Sequence, residues 1–193
     1  GGVRGNLFNS DVLRRADGSI NVDLIQGWNT GVNSVRIGST DYTRSRTGTD
    51  FQNSSNTGRT GSGTTSSPYV YNTAAGISKI SSINSHNWYG GVVNLNTKLT
   101  EKFTLDFGVD ARTYRGIHYQ NIVDLLGSAN YLDKTDKNNP SRLLRTTYAA
   151  RPHLNPFFNL DYQSAKINYN NDGLVNWYGA FTQLEYSADK LTA

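Results

Sequence analysis

Hydrophobic and polar side chains alternate along two stretches on either side of the turn Thr100-Glu101-Lys102. In the second stretch, Phe103, Leu105, Phe107, Val109 and Ala111 share one face. Thr104, Asp106, Gly108, Asp110 and Arg112 share the other. In the first, Trp88–Leu99, Tyr89, Val93, Leu95 and Leu99 oppose Asn94, Asn96 and Lys98. A period of two is the signature of a strand with one apolar and one polar face. Soluble strands run to about 5–6 residues, and these are longer. They match the roughly 9–11 residues that a tilted strand needs to cross a bilayer. The expectation is an all-β fold, part of an antiparallel transmembrane β-barrel.

A third strand is predicted over Leu174–Tyr186, where Tyr178, Ala180, Thr182, Leu184 and Tyr186 oppose Trp177, Gly179, Phe181, Gln183 and Glu185. The turn Ser187-Ala188-Asp189-Lys190 ends it. Short turns at 100–102 and 187–190 contrast with long connections at about 38–80 and 115–173. Outer-membrane barrels show this asymmetry, with short periplasmic turns and long extracellular loops. Trp88, Tyr89, Tyr114, Trp177 and Tyr178 fall at the long-loop ends of their strands, and Phe103 and Tyr186 at the short-turn ends. Two aromatic girdles would be placed this way; aromatics that merely favour strand ends would be too.

Elsewhere the pattern is weaker. Ile20, Val22 and Leu24 alternate after the turn Asp17-Gly18-Ser19, and Val32–Ile37 follows a glycine, so both read as strands. Residues 38–80 are rich in Gly, Ser, Thr, Asn and Arg and read as a long loop or a disordered stretch. Within 115–173, Ile122, Leu125 and Leu126 fall on one helical face that Gly127 could close. Phe158–Tyr162 alternates as a further strand, and Asn138-Asn139-Pro140 and Asn155-Pro156 mark turns. All 193 residues are read as part of one barrel domain, with no plug domain.

Composition narrows the class. Hydrophobic residues make up 36% of the chain, and the mean hydropathy is -0.58. No stretch approaches the ~18 apolar residues of a membrane helix, which excludes a helical membrane protein. A membrane barrel remains open because its lumen-facing residues dilute the apolar signal. So does a Tyr-rich secreted β-domain, given 12 Tyr against 7 Phe and 3 Trp. There is no Cys, hence no disulfide and no thiolate metal site. The opening Gly1-Gly2-Val3 has neither the basic nor the apolar region of a signal peptide, and the closing Lys190–Ala193 reads as the start of another strand. The expectation is a piece of a longer protein.

The formal charge is +4. Arg44, Arg46, Arg59, Arg142, Arg145 and Arg151 are scattered rather than clustered, which suits solvated loops or contact with lipid phosphates or an anionic ligand. Nucleic acid is not expected as a partner. His86 and His118 could approach each other if the hairpin closes at Glu101, yet no metal-ligand spacing supports a site, and polar loop histidines suffice. The stretch Gly58–Ser66 lacks the Lys-Ser/Thr ending of a phosphate loop. Neither Gly-x-Ser-x-Gly nor His-Glu-x-x-His occurs, and Asp106 and Asp110 share a face through strand periodicity alone. No catalytic, cofactor-binding or metal-binding residue is assigned, no cofactor is expected, and the chain is not read as an enzyme.

Several runs, taken in order, resemble TonB-dependent receptors of the Bacteroidetes type. They are His86-Asn87-Trp88-Tyr89-Gly90, Leu99-Thr100-Glu101-Lys102-Phe103-Thr104, Gly108–Gly116, Asp124-Leu125-Leu126-Gly127, Ile167–Val175 and Phe181–Leu191. The resemblance covers roughly residues 80–193 and leaves 1–79 unplaced. It implies a 22-stranded barrel with an N-terminal plug in the outer membrane of a Gram-negative bacterium, importing a scarce nutrient with energy passed through TonB. The chain departs from that pattern by having too few strands to close such a barrel. The implied partners are outer-membrane lipid and lipopolysaccharide, TonB through a part of the protein outside this chain, and a surface lipoprotein. No functional residue of the family maps onto this sequence. The alternatives are a small outer-membrane barrel or surface adhesin, and a soluble secreted β-domain binding glycans through Trp88 and Trp177.

Overall fold

The computed structural model describes residues 2–5, 7–54, 59–148, 165–188 and 191–192. The strands are β1 (Gly2–Arg4), β2 (Val35–Ile37), β3 (Thr40–Tyr42), β4 (Gln52–Ser54), β5 (Arg59–Thr60) and β6 (Val70–Tyr71), followed by three long ones and three short ones. These are β7 (Ser78–Lys98), β8 (Phe103–Asp124), β9 (Asn130–Asp133), β10 (Arg142–Leu144), β11 (Ile167–Ala188) and β12 (Leu191–Thr192). Among the described residues there is one α-helix, α1 (Val22–Asn29), preceded by 3-10 turns at Leu7–Asn9 and Asp11–Leu13. The class is all-β, and the strands are mostly antiparallel. The main sheet runs β1-β7-β8-β11-β12 and is open, so the described residues form no closed barrel. Two compact units emerge: Gly1–Ile83 with His118–Asn170, and Asn84–Ile117 with Asn171–Ala193.

The first unit has a conventional interior. Leu7, Leu13, Ile25, Trp28, Val35, Tyr42, Ile77 and Leu126 form one apolar cluster. Ile80, Ile122, Leu125, Tyr131, Leu144 and Ile167 form a second. Helix α1 replaces the strand expected at Ile20–Leu24. Asn21 caps it by accepting the Leu24 N–H at 3.1 Å, and Ile25 and Trp28, three apart, face the core. Gly31, at φ 72, then turns the chain away. Only part of the second expectation in this region holds: Val35–Ile37 is a strand, paired antiparallel with Thr40–Tyr42.

The described residues of the 38–80 interval are more ordered than their composition implies. They contribute four short strands, and Tyr42, Arg44, Asn53, Ala75 and Ile77 are buried. Backbone satisfaction explains this, because polar side chains stand in for sheet partners. Asn53 donates to the carbonyls of Ile77 and Leu125 at 3.0 and 3.1 Å. Asn29 donates to the Ile77 carbonyl at 2.7 Å and accepts the Ile77 N–H at 3.0 Å.

The helix expected near Ile122–Leu126 is absent. Strand β8 continues to Asp124, and the chain then turns at Leu126 and Gly127, at φ 49 and 87. The Asp124 carboxylate accepts the Leu126 N–H at 2.8 Å and fixes that turn. Gln120, Asn121 and Ile122 are all buried, so this end of the strand lacks the alternation that would have marked it. The connections are therefore shorter than expected, since β8 and β11 extend into the 115–173 interval from both sides. The strand expected at Phe158–Tyr162 lies outside the described residues.

The second unit comprises the hairpin and the facing part of β11. Its turn closes when the N–H groups of Leu99 and Thr100 donate to the Phe103 carbonyl at 2.9 and 3.3 Å. The Thr100 hydroxyl accepts from the N–H groups of Lys102 and Phe103 at 3.2 and 3.1 Å. This Thr is a turn residue for a local reason: its side chain satisfies two backbone donors that have no ladder partner.

Candidate functional site

The second unit is a sheet whose two faces differ in chemistry and are both largely open. Side-chain contacts fix which residues share a face. Phe103 and Tyr186 meet with ring centroids 5.1 Å apart. By alternation, their face carries Tyr89, Val93, Leu95 and Leu99 on β7, Leu105, Phe107 and Val109 on β8, and Tyr178 and Leu184 on β11. Most of these are exposed; Phe107 keeps 43% of its surface open and Leu95 55%. From Tyr89 to Leu99 the apolar stripe runs about 34 Å along the strand, or about 26 Å of height at a tilt of ~40°. Polar pairs close its far end: the Thr113 hydroxyl, in the row of Tyr89, donates to Asn176 at 2.8 Å, and beyond it Arg115 pairs with Asp172 at 2.5 Å. The apolar band is therefore bounded at both ends, by a tight turn and by hydrogen-bonded polar pairs.

The opposite face is polar with aromatic islands. Asn96 donates to Asp106, and Asp110 pairs with Arg112 at 2.8 Å. His86 stacks on Tyr114, with Nδ1 and the hydroxyl oxygen 2.6 Å apart and ring centroids at 5.7 Å. A Cβ on Gly108 would run into the Phe181 ring and the Asn94 carboxamide, so Phe181 lies over bare backbone. A Cβ on Gly90 would meet Arg112. These contacts place Trp88 and Trp177 on this polar face by alternation, whereas Tyr89 and Tyr178 belong to the apolar one. The aromatics that the sequence groups into one girdle thus divide between two faces. Phe181 over Gly108 went unnoticed in the sequence; the signal was there in a glycine inside a long strand, which marks a close approach.

The residues weighed individually in the sequence also find their places. Arg44 is not a loop charge but a buried one, 4% exposed. Its guanidinium donates to the carbonyls of Thr73 and Gln52 at 2.6 and 2.5 Å and lies over the Trp28 ring at 5.5 Å. Burial without a carboxylate partner pushes its pKa down to about 10. Arg46 and Arg59 are exposed, over the rings of Phe51 and Tyr69 at 4.8 and 3.8 Å. Arg145 is exposed as well, while Arg151 and His153 lie outside the described residues. His86 and His118 fall in different units. Among the described residues, no group of three or more His, Asp or Glu side chains could hold a metal ion.

In the first unit, a cleft of about 360 Å³ opens beside Asp133, Thr135, Arg142, Lys166 and Asn168. Its charges are already matched. Asp133 accepts from the Thr135 hydroxyl at 2.6 Å and pairs with Arg142 at 2.6 Å. Arg142 also donates to the Lys166 carbonyl, and Asn168 donates to Gln120 at 2.7 Å. These bonds tie β9, β10 and the start of β11 together. The chain has no match among protein-family models, curated proteins or solved structures.

Proposed function

We propose that the second unit is a sector of a β-barrel wall in the outer membrane of a Gram-negative bacterium, with its apolar face toward lipid and its polar face toward the lumen. The observation that carries this reading is the bounded apolar band, whose height of about 26 Å compares with the ~25 Å apolar belt of such barrels. Exposed apolar area on this scale marks a membrane or protein contact. A soluble domain would leave Val93, Leu95, Phe107 and Leu184 in water with no compensating contact.

Within this reading, the protein is a TonB-dependent transporter. It captures a nutrient without covalent chemistry and imports it through the barrel, while TonB engages a part of the protein outside this chain. The sequence motifs between His86 and Leu191 support that assignment. The strand edges support a larger wall. Among the described residues, β1 pairs with β7 only from Ile80 back to Ser78, and β12 pairs with β11 only at Ser187 and Ala188. A longer sheet would satisfy the remaining backbone groups.

The test is twofold. The polypeptide containing this chain should fractionate with the outer membrane and, when folded, migrate anomalously on unheated gels. Uptake of its nutrient should stop when TonB is deleted. Outer-membrane localisation with TonB-independent uptake would leave the small barrel or adhesin reading; recovery in the soluble fraction would remove the barrel altogether.

A further inference from the structure

Strands β5 and β6 form a small hairpin in the first unit, with Arg59 opposite Tyr71 and Thr60 opposite Val70. Tyr71 packs against the first apolar cluster and roots the hairpin. Every residue from Arg59 to Val70 is exposed, so the tip stands clear of the interior. The tip is nonetheless shaped. The N–H groups of Ser62 and Gly63 donate to the Ser67 carbonyl at 3.1 and 3.0 Å, and the Ser67 N–H donates to the Thr64 carbonyl at 3.1 Å. The Tyr69 ring lies against Gly63, where a Cβ would come within 2.6 Å of it. The Arg59 guanidinium stacks on the same ring at 3.8 Å. What this turn presents is hydroxyl groups. Thr60–Pro68 contains only Thr, Gly, Ser and Pro, with no charged residue. The hydroxyls of Ser62, Thr64 and Ser66 form a chain with 3.3 Å at each step, and Thr64 also accepts the Ser67 N–H at 3.2 Å. Thr65, between Thr64 and Ser66, takes no part in that chain. Solubility alone would fill such exposed positions with Lys, Glu or Asp as readily.

We infer that this tip is a site of covalent O-glycosylation, with Thr65 as the principal acceptor. Dense Ser and Thr with Pro and without charge is a composition that carries O-linked sugar. A projecting, hydrogen-bonded turn lets a transferase close around a hydroxyl that the fold does not use. The donor class is a sugar activated as its diphosphate. The Thr65 Oγ1 bonds to the anomeric carbon as the bond from that carbon to the diphosphate oxygen breaks. The diphosphate leaves with the electron pair, and the hydroxyl proton passes to a base of the transferase. A phosphoryl group suits the tip less well, because it gains most from a cation to pair with. The guanidinium that flanks the tip, Arg59, is stacked on Tyr69. The inference stands apart from the barrel reading, since it rests on the hairpin alone.

The polypeptide containing this chain is purified from the cells that produce it and digested with trypsin. Cleavage after Arg59 and Lys79 yields Thr60–Lys79 as one peptide. Mass spectrometry should find that peptide carrying the added mass of one or more sugar residues, and electron-transfer fragmentation should place the first on Thr65. Thr65→Val should lose the addition, and Thr65→Ser should retain it. Position 65 is exposed, so neither variant should move the urea midpoint of unfolding. A peptide that is wholly unmodified would overturn the inference, as would one that carries phosphate instead, or one whose sugar persists in full in Thr65→Val. A modified peptide from a protein that fractionates as soluble would keep the site and remove the barrel. An outer-membrane barrel with an unmodified peptide would do the reverse.

Discussion

Phe103 and Tyr186 lie ring to ring, 5.1 Å between centroids, where β8 leaves its turn. The pair closes the turn end of the apolar face. A tyrosine there can keep its ring among apolar groups and its hydroxyl in water, which is how aromatics sit at a membrane boundary. Phe107 lies four residues further along the same face and falls within the apolar band.

A charge at Phe107 and a charge at Asp106 should therefore have unequal effects. With the apolar face toward lipid, as proposed, Phe107→Arg would cost about 2–4 kcal/mol near the bilayer midplane. Asp106→Arg would stay on the polar face and lose one hydrogen bond with Asn96. Membrane-assembly yield should fall for the first and change little for the second. Equal yields would argue against the assignment of faces.

Sidedness can be read chemically because the chain has no cysteine of its own. Ser62→Cys falls in the 38–80 interval and Ser187→Cys at the end of β11, and both positions are exposed. An impermeant thiol reagent on intact cells should label only the first. Labelling only at 187 would invert the topology.

The second unit was legible in the sequence because its two faces remain different along the whole strand. Phe103 to Ala111 alternates with Thr104 to Arg112, and a period of two survives whatever covers it. The first unit was not legible for the opposite reason. Near residue 120 both faces of β8 are buried, so Gln120 and Asn121 sit inside as Ile122 does. In 38–80 the interior depends on Arg44, Asn53 and, from outside that interval, Asn29, residue types that a composition count assigns to loops. Helix α1 was missed because Asn21 was not recognised as a cap.

Burial at Arg44 changes what its substitution should do. An exposed arginine would govern salt-dependent attraction of an anion. This one holds carbonyl oxygens at Ser45, Thr73 and Gln52 inside the fold. Arg44→Ala should destabilise the first unit by about 1–3 kcal/mol, as its loss leaves buried acceptors unpaired. Arg44→Lys should rescue little, because an ammonium cannot span three carbonyls in a fork. Urea unfolding with fluorescence from Trp28, which lies beside Arg44, would measure both. A loss under about 0.5 kcal/mol, typical of a surface site, would contradict this role.

Alkaline pH provides a signed test of the same interior. Burial, then the nearby Asp133 carboxylate, push the Tyr131 hydroxyl up to about 12, with Arg4 acting weakly the other way. Its folded pKa exceeds the unfolded value near 10. Tyr131 therefore contributes stability that is full below about pH 10 and is lost as pH rises toward 12, on the order of 2–3 kcal/mol in all. In urea titrations from pH 9 to 12, Tyr131→Phe should gain stability relative to wild type as pH rises. Parallel curves for the two proteins would mean that the Tyr131 hydroxyl does not change its protonation on folding, and would remove the argument that burial holds it neutral.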